Sequence, residues 1–181
     1  MSSEFRFIDF SQIIEELNNI DSDLLLFVID GQVWAHYNEQ LNFEVLLPNK
    51  NVLIWKTPPG EETKNFNELE SCLEFFLEKG VHRKSHLVAI GGGAVSDFGG
   101  VVSSCLLRGI KWSIVPTTLL SMVDASIGGK VAINSKWGKN LIGAFHLPKN
   151  IYFFNDFLNS LPEEEMKSGY GEVIKYGLLD H

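Results

Sequence analysis

Residues 86–100, HLVAIGGGAVSDFGG, limit the possible folds more than any other stretch of the chain. An apolar run, Leu87 to Ile90, ends in three consecutive glycines, after which small residues and one aspartate return toward helical spacing. A strand, a glycine turn and a helix start, in that order, are the parts of a parallel α/β unit. They also make an anion site. The unpaired N–H groups of the first helical turn converge there, and a diphosphate approaches closely where no side chain intervenes.

The segment fits a dinucleotide-binding fingerprint in part. Gly91 and Gly93 fill the first two positions of G-x-G-x-x-G, but Ser96 occupies the third, and Lys111 stands about where a ribose-binding acid is expected. No G-K-[ST] follows, so it is not a P-loop. On spacing alone, a close-packed turn in which glycines admit tight helix-on-strand contact is an equal reading.

The neighbouring segments complete the α/β pattern. Leu24 to Ile29 and Val52 to Trp55 read as buried strands, WSIVPTT as a strand stopped by Pro116, and Ile151 to Phe154 as a last short strand. Phe66, Leu69, Leu73 and Phe76 recur at helical spacing with Glu70, Glu74 and Glu78 on another face, which predicts an amphipathic helix over 65–79 stopped by Gly80. Ser160 and Glu163 have capping-box spacing with Pro162 between them, predicting a helix from there to about Tyr176. The expected fold class is α/β: a Rossmann-like layered parallel sheet with helices on both faces over residues 1–158. Residues 159–181 would begin a mainly helical unit.

A formal charge of -8 argues against nucleic acid or anionic lipid as partners. The middle of the chain is a local exception. Between Phe98 and Asn155, Asp124 is the one acid against Arg108, Lys111, Lys130, Lys136, Lys139 and Lys149. Such a balance suits a pocket for a small anion better than a polyanion track. The segment DASIGGKVAINSKWGKN, read as a loop from Ser126 to Gly138, adds glycines 128, 129 and 138 among three of those lysines, a grouping useful around phosphates. Cys72 and Cys105 are too far apart for a metal knuckle and read as reduced core thiols. The amino terminus has no apolar signal region, and the run Leu24 to Ile29 is far short of the roughly 20 residues that span a bilayer, so a cytoplasmic location is expected.

With both glycine segments in view, the chain resembles the 3-dehydroquinate synthases, members of the sugar-phosphate cyclase group. The resemblance rests on GGGAVSDFGG, LLRGIKWSIVPTTLLSMVDASIGGKVAIN, GKNLIGAFHLPK and LPEEEMKSGYGEVIKYG, in that order between residues 87 and 177. Ser160 stands where threonine is common, and Gly171 where alanine precedes the glutamate. The resemblance implies an NAD-binding α/β domain followed by a helical metal-binding domain, in a homodimer acting on an anionic sugar phosphate. Asp30, Glu61, Lys64, Gly92, Gly93, Asp97, Thr117, Thr118 and Lys139 would bind NAD. Without the resemblance, Glu61 and Lys64 read equally well as a solvated charged loop.

It further implies Arg108, Asp124, Lys130, Lys139, Asn140 and Lys175 as the catalytic and substrate-binding set, and Glu172 as a ligand of a divalent metal, zinc or cobalt. Glu172 and Lys175, three residues apart, share a helix face; read alone, they are a surface ion pair. A catalytic zinc takes about three protein ligands, and no histidine before Glu172 matches a ligand position of the family. The chain is therefore expected to be an amino-terminal portion with little or no turnover of its own. The alternatives are another sugar-phosphate cyclase such as 2-deoxy-scyllo-inosose synthase, a related metal-dependent alcohol or glycerol dehydrogenase, and a stand-alone NAD-binding module.

Overall fold

A computed structural model describes residues 2–179. Asp180 and His181, the last residues of the stretch expected to begin a second unit, lie outside the described residues. Six parallel strands form the main sheet: β1 (Glu4–Phe7), β2 (Leu24–Asp30), β3 (Asn51–Thr57), β4 (His86–Gly91), β5 (Lys111–Pro116) and β8 (Asn150–Phe153). Their order across the sheet is β1-β8-β5-β4-β2-β3. A two-stranded antiparallel hairpin, β6 (Lys130–Ser135) and β7 (Gly138–Phe145), stands apart from that sheet.

Both faces of the sheet are covered, which is why its central strands are apolar throughout rather than alternating. Leu26, Val28, Leu87, Ala89, Trp112 and Ile114 point to one face, where they meet α4 (Phe66–Glu78), α5 (Gly93–Cys105) and the hairpin residues Val131 and Ile133. Leu25, Phe27, Ile29, Val88, Ile90 and Val115 point to the other, beneath α1 (Phe10–Asn18) and α3 (Phe43–Leu46). The short helix α2 (Gly31–Tyr37) follows β2 directly. Helix α4 ends as the sequence indicates. Gly80 takes φ +83°, its N–H donates to Leu77 O, and Val81 N–H donates to Phe76 O, a pairing that satisfies two of the carbonyls left free at the helix end.

Strand order fixes where a ligand can sit. From β2 the chain moves outward to β3, then returns to the other side of β2 to lay down β4 and β5. The connections leaving the ends of β2 and β4 therefore diverge, and a crevice opens at their carboxyl ends.

Three expectations need correction. The capping box at Ser160 does not form: Ser160 ends a 3-10 helix (Asn155–Ser160), its hydroxyl donates to Phe157 O, and α6 (Glu163–Leu179) starts after Pro162. Cys105 is exposed at the end of α5, so Cys72 is the buried thiol of the two. The segment carrying Lys130, Lys136 and Lys139 is not a glycine loop but the β6–β7 hairpin, entered through Gly128 and Gly129 at φ +98° and +66°.

Candidate functional site

The cleft at the carboxyl ends of β2, β4 and β5 has a volume of about 560 Å³. Asp30 closes β2, Gly92 and Gly93 follow β4, and Thr117 and Thr118 follow β5. Gly92 is the N-cap of α5 and supplies no side chain to bond the first turn, so the N–H groups there have no intrahelical acceptor. A Cβ on Gly92 would lie 3.1 Å from the Thr118 methyl group. The bare backbone thus keeps the mouth of the helix open to an anion, with the positive end of the helix dipole behind it.

The same helix explains the second pair of glycines. A Cβ on Gly99 would meet Ala89 Cβ of β4 at 2.7 Å, and one on Gly100 would meet Val131 of β6 at 2.2 Å. Close helix-on-strand packing is therefore served by Gly99 and Gly100, not by Ser96, which is buried with its hydroxyl unpaired. The close-packing reading thus falls on Gly99 and Gly100, while the open backbone lies at Gly92.

A buried cation sits at one end of the cleft. Lys64 is 2% exposed, and its Nζ donates to Asp97 Oδ2 at 2.5 Å and to Asn140 Oδ1 at 2.5 Å, with Glu61 4.0 Å away. The segment PGEETK is therefore not a uniformly solvated loop. Glu61 is half-exposed, but Lys64 turns inward from a 3-10 turn (Gly60–Thr63). Burial pushes the Asp97 carboxyl above the usual range, and the Lys64 ammonium pulls it partly back.

A second cluster forms where α6 meets the single π-helical turn Ser121–Ala125. Tyr176 OH donates to Asp124 Oδ1 at 2.9 Å, and Lys175 Nζ donates to Glu172 Oε2 at 2.6 Å. Gly169 permits the approach, since a Cβ there would lie 2.6 Å from Leu119 Cβ. The bond to Glu172 raises the Lys175 ammonium above its ordinary value, and the bond to Asp124 raises the Tyr176 hydroxyl.

The structure thus gathers Asp30, Glu61, Lys64, Gly92, Gly93, Asp97, Thr117, Thr118 and Asn140 around one cleft, and Asp124, Glu172 and Lys175 into a neighbouring group on α6 and the π turn. It leaves three sequence candidates outside. Lys130 and Lys139 are exposed on the hairpin, and neither lines the cleft. Arg108 is exposed beyond the carboxyl end of α5, a 13-residue helix about 20 Å long, whereas the cleft is at its amino end.

Sequence reasoning missed Tyr37, Phe157 and Ser160, which line the cleft, and Tyr176 and Asn134, which hold the candidate residues. Tyr37 OH donates to Ser160 Oγ at 2.8 Å and so joins α2 to the 3-10 helix at the cleft wall. Nothing in its local sequence marks it. Asn134 and Tyr176 both stand inside motifs that carry the family resemblance, VAIN and EVIKYG, where charged neighbours are the stronger signal.

A sequence profile of the family described as 3-dehydroquinate synthase N-terminal matches residues 54–168. The chain belongs to the 3-dehydroquinate synthase family. Among curated relatives, a 3-dehydroquinate synthase of Alkaliphilus metalliredigens is 41% identical over 160 residues, covering 87% of this chain, and one of Staphylococcus aureus is 44% identical over 158 residues. The chain spans 44% of the length of each. Among solved structures, a 2-deoxy-scyllo-inosose synthase complexed with carbaglucose-6-phosphate, NAD+ and Co2+ superposes with a TM-score of 0.84 at 27% identity, over 94% of this chain and 48% of that one. A 2-epi-5-epi-valiolone synthase from Streptomyces hygroscopicus subsp. jinggangensis with NAD+ and Zn2+ bound gives a TM-score of 0.82 at 26% identity, over 97% of this chain and 49% of that one. An iron-containing alcohol dehydrogenase of Thermotoga maritima shares the fold, at 15% identity and a TM-score of 0.72.

The donor chemistry differs between the two groups a synthase of this type would use. A dinucleotide fits: the uncapped amino end of α5 offers N–H groups to a diphosphate, and Asp30 offers a carboxylate at a strand end. A divalent metal does not fit on these residues alone. Glu172 is paired with Lys175, and among the described residues no three histidine, cysteine or acidic side chains group into a metal site.

Proposed function

We propose that this chain is the NAD-binding portion of a 3-dehydroquinate synthase, which converts 3-deoxy-arabino-heptulosonate 7-phosphate to 3-dehydroquinate and phosphate in the shikimate pathway leading to aromatic amino acids. The observation that carries the reading is the cleft at the strand ends around the open amino terminus of α5, in a chain of this family. In this reading residues 1–158 are the NAD-binding unit and residues 159–181 begin the helical unit. The protein is a cytoplasmic homodimer; no described helix is long and apolar enough to cross a membrane.

The N–H groups of Gly93 and its neighbours hold the diphosphate, and Asp30 accepts ribose hydroxyls. Thr117 and Thr118 bond the cofactor on the β5 side. Lys64 and Asp97 stand at the reacting end with Asn140, where a fixed ammonium stabilises negative charge developing on substrate oxygen. Bound NAD would supply a reversible oxidation of a secondary hydroxyl, so that turnover yields no net NADH. Asp124, oriented by Tyr176, accepts a hydrogen bond from the hydroxyl to be oxidised, and Lys175 beside it meets a substrate anion. Lys130 and Lys139 present positive charge on the hairpin to the phosphate and carboxylate of the substrate.

Glu172 contributes one ligand to a metal whose remaining donors these residues do not supply, so the chain by itself is expected to bind NAD without turnover. The test is phosphate release from the heptulosonate phosphate with NAD and zinc. None is expected from this chain alone, and release at an enzyme-like rate would overturn that part of the reading. A 2-deoxy-scyllo-inosose synthase is the second reading, since one superposes well. Preferential stabilisation of the NAD-loaded chain by glucose 6-phosphate over the heptulosonate phosphate would favour it.

A further inference from the structure

We propose that Asn134 is a positioning residue that couples the β6–β7 hairpin to the nucleotide cleft; this rests on the dinucleotide reading above. The pairing of β6 with β7 shifts register between Ile133 and Ser135, so Asn134 falls out of the ladder and its polar groups are free to bond elsewhere. Two of them go to the turn after β3 and one to β7. The backbone N–H donates to Lys64 O at 2.9 Å, side-chain Nδ2 donates to Glu61 Oε2 at 2.7 Å, and Oδ1 accepts from Asn140 N–H at 2.9 Å.

The last bond matters for geometry. Asn140 takes φ +58°, a left-handed conformation that costs a non-glycine residue energy unless something holds it. Held there, its side-chain oxygen accepts from the buried Lys64 ammonium, opposite Asp97. One amide therefore fixes two cleft residues, Glu61 and Asn140, and the strand carrying the second of them. The role needs a side chain that donates to a carboxylate and accepts from an N–H at once, which an amide does and a carboxylate does not. Any shift of Glu61 or Lys64 when dinucleotide binds is passed through these bonds to the hairpin bearing Lys130 and Lys139. Neither lysine lines the cleft.

The test is residue-resolved amide exchange by NMR, with and without NAD, on the chain and on Asn134→Ala and Asn134→Asp. In the wild type, NAD should slow exchange at residues 93–95 and at 131–140. In Asn134→Ala the first effect should persist, the second should vanish, and NAD affinity should fall about tenfold. In Asn134→Asp the introduced carboxyl faces Glu61. Two carboxyls so close retain a proton as pH falls, which restores the donor. NAD affinity of that variant, relative to wild type, should therefore recover between pH 8 and pH 5, whereas that of Asn134→Ala should not. A purely structural role would move neither the ligand-specific protection nor this pH profile. Slowing at 93–95 with an unaffected hairpin, or hairpin protection unchanged in Asn134→Ala, overturns the inference and leaves the dinucleotide reading intact. No slowing at 93–95 in the wild type sinks the dinucleotide reading and the coupling with it.

Discussion

Lys64 and Asp97 meet across 2.5 Å, the first from a 3-10 turn after β3 and the second from the second turn of α5, with the lysine almost fully buried. An ammonium withdrawn from water is tolerated when opposite charge and further acceptors surround it. Here Asp97, Asn140 and Glu61 do so. The pair joins the loop that carries Glu61 to the helix that presents the glycines, and both of its members line the cleft.

Removing the cation should therefore cost both stability and binding. Lys64→Met leaves the partly buried Asp97 carboxylate without its main partner, at an expected cost of about 2 kcal/mol, less than a fully buried pair because Asp97 retains some solvent. Adding Asp97→Asn should recover part of it. Urea unfolding of the three variants checks this; an unchanged midpoint for Lys64→Met would show that the pair contributes nothing net.

Two helical glycines should respond in opposite directions to alanine. Gly100 lies against β6 and Trp112, where a Cβ would approach Val131 at 2.2 Å and Trp112 at 2.8 Å, so Gly100→Ala should destabilise by about 2 kcal/mol. Gly171 is in exposed helix α6 with nothing near its Cβ position, so Gly171→Ala should stabilise by about 0.5–1 kcal/mol. Thermal unfolding that gives both changes the same sign would contradict the packing described.

The buried His86 sets an acid limit. Burial, with the charges of Lys149 and Lys111, pushes its pKa down to about 3, and its Nε2 is bonded to Ser113 Oγ at 2.8 Å. The native ring stays neutral while the unfolded ring takes a proton below about pH 6.5. The unfolded state then binds the extra proton, so stability is fully present above about pH 6.5 and is lost as pH falls toward 3, by about 1.4 kcal/mol per unit. Denaturant titrations should show a shallower pH dependence over that window in His86→Gln than in the wild type; equal slopes would refute the assignment.

Much of this architecture was legible because burial on both faces writes itself as unbroken apolar runs. Leu24–Ile29, Leu87–Ile90 and the WSIVP run marked three adjacent strands of the sheet, and Gly80 marked a helix end. Edge strand β1 was missed, since with Phe5 and Phe7 exposed and four residues in all it carries no pattern. The hairpin was missed for a different reason. Its lysines and glycines resemble a loop, and its strand character depends on Val131 and Ile133 packing against α5, a tertiary fact. In the site, charged residues next to glycines were visible, but the side chains that aim them were not. Asn134 and Tyr176 act through partners 73 and 52 positions away in sequence.

The most direct measurement is a calorimetric titration of the chain with NAD, repeated with zinc and with Gly92→Val. Saturable one-to-one binding indifferent to zinc is expected, weakened at least about thirtyfold when a branched side chain fills the mouth of α5 opposite Thr118. A folded chain that takes up no NAD, or a Gly92→Val variant that binds as well as the wild type, would contradict it.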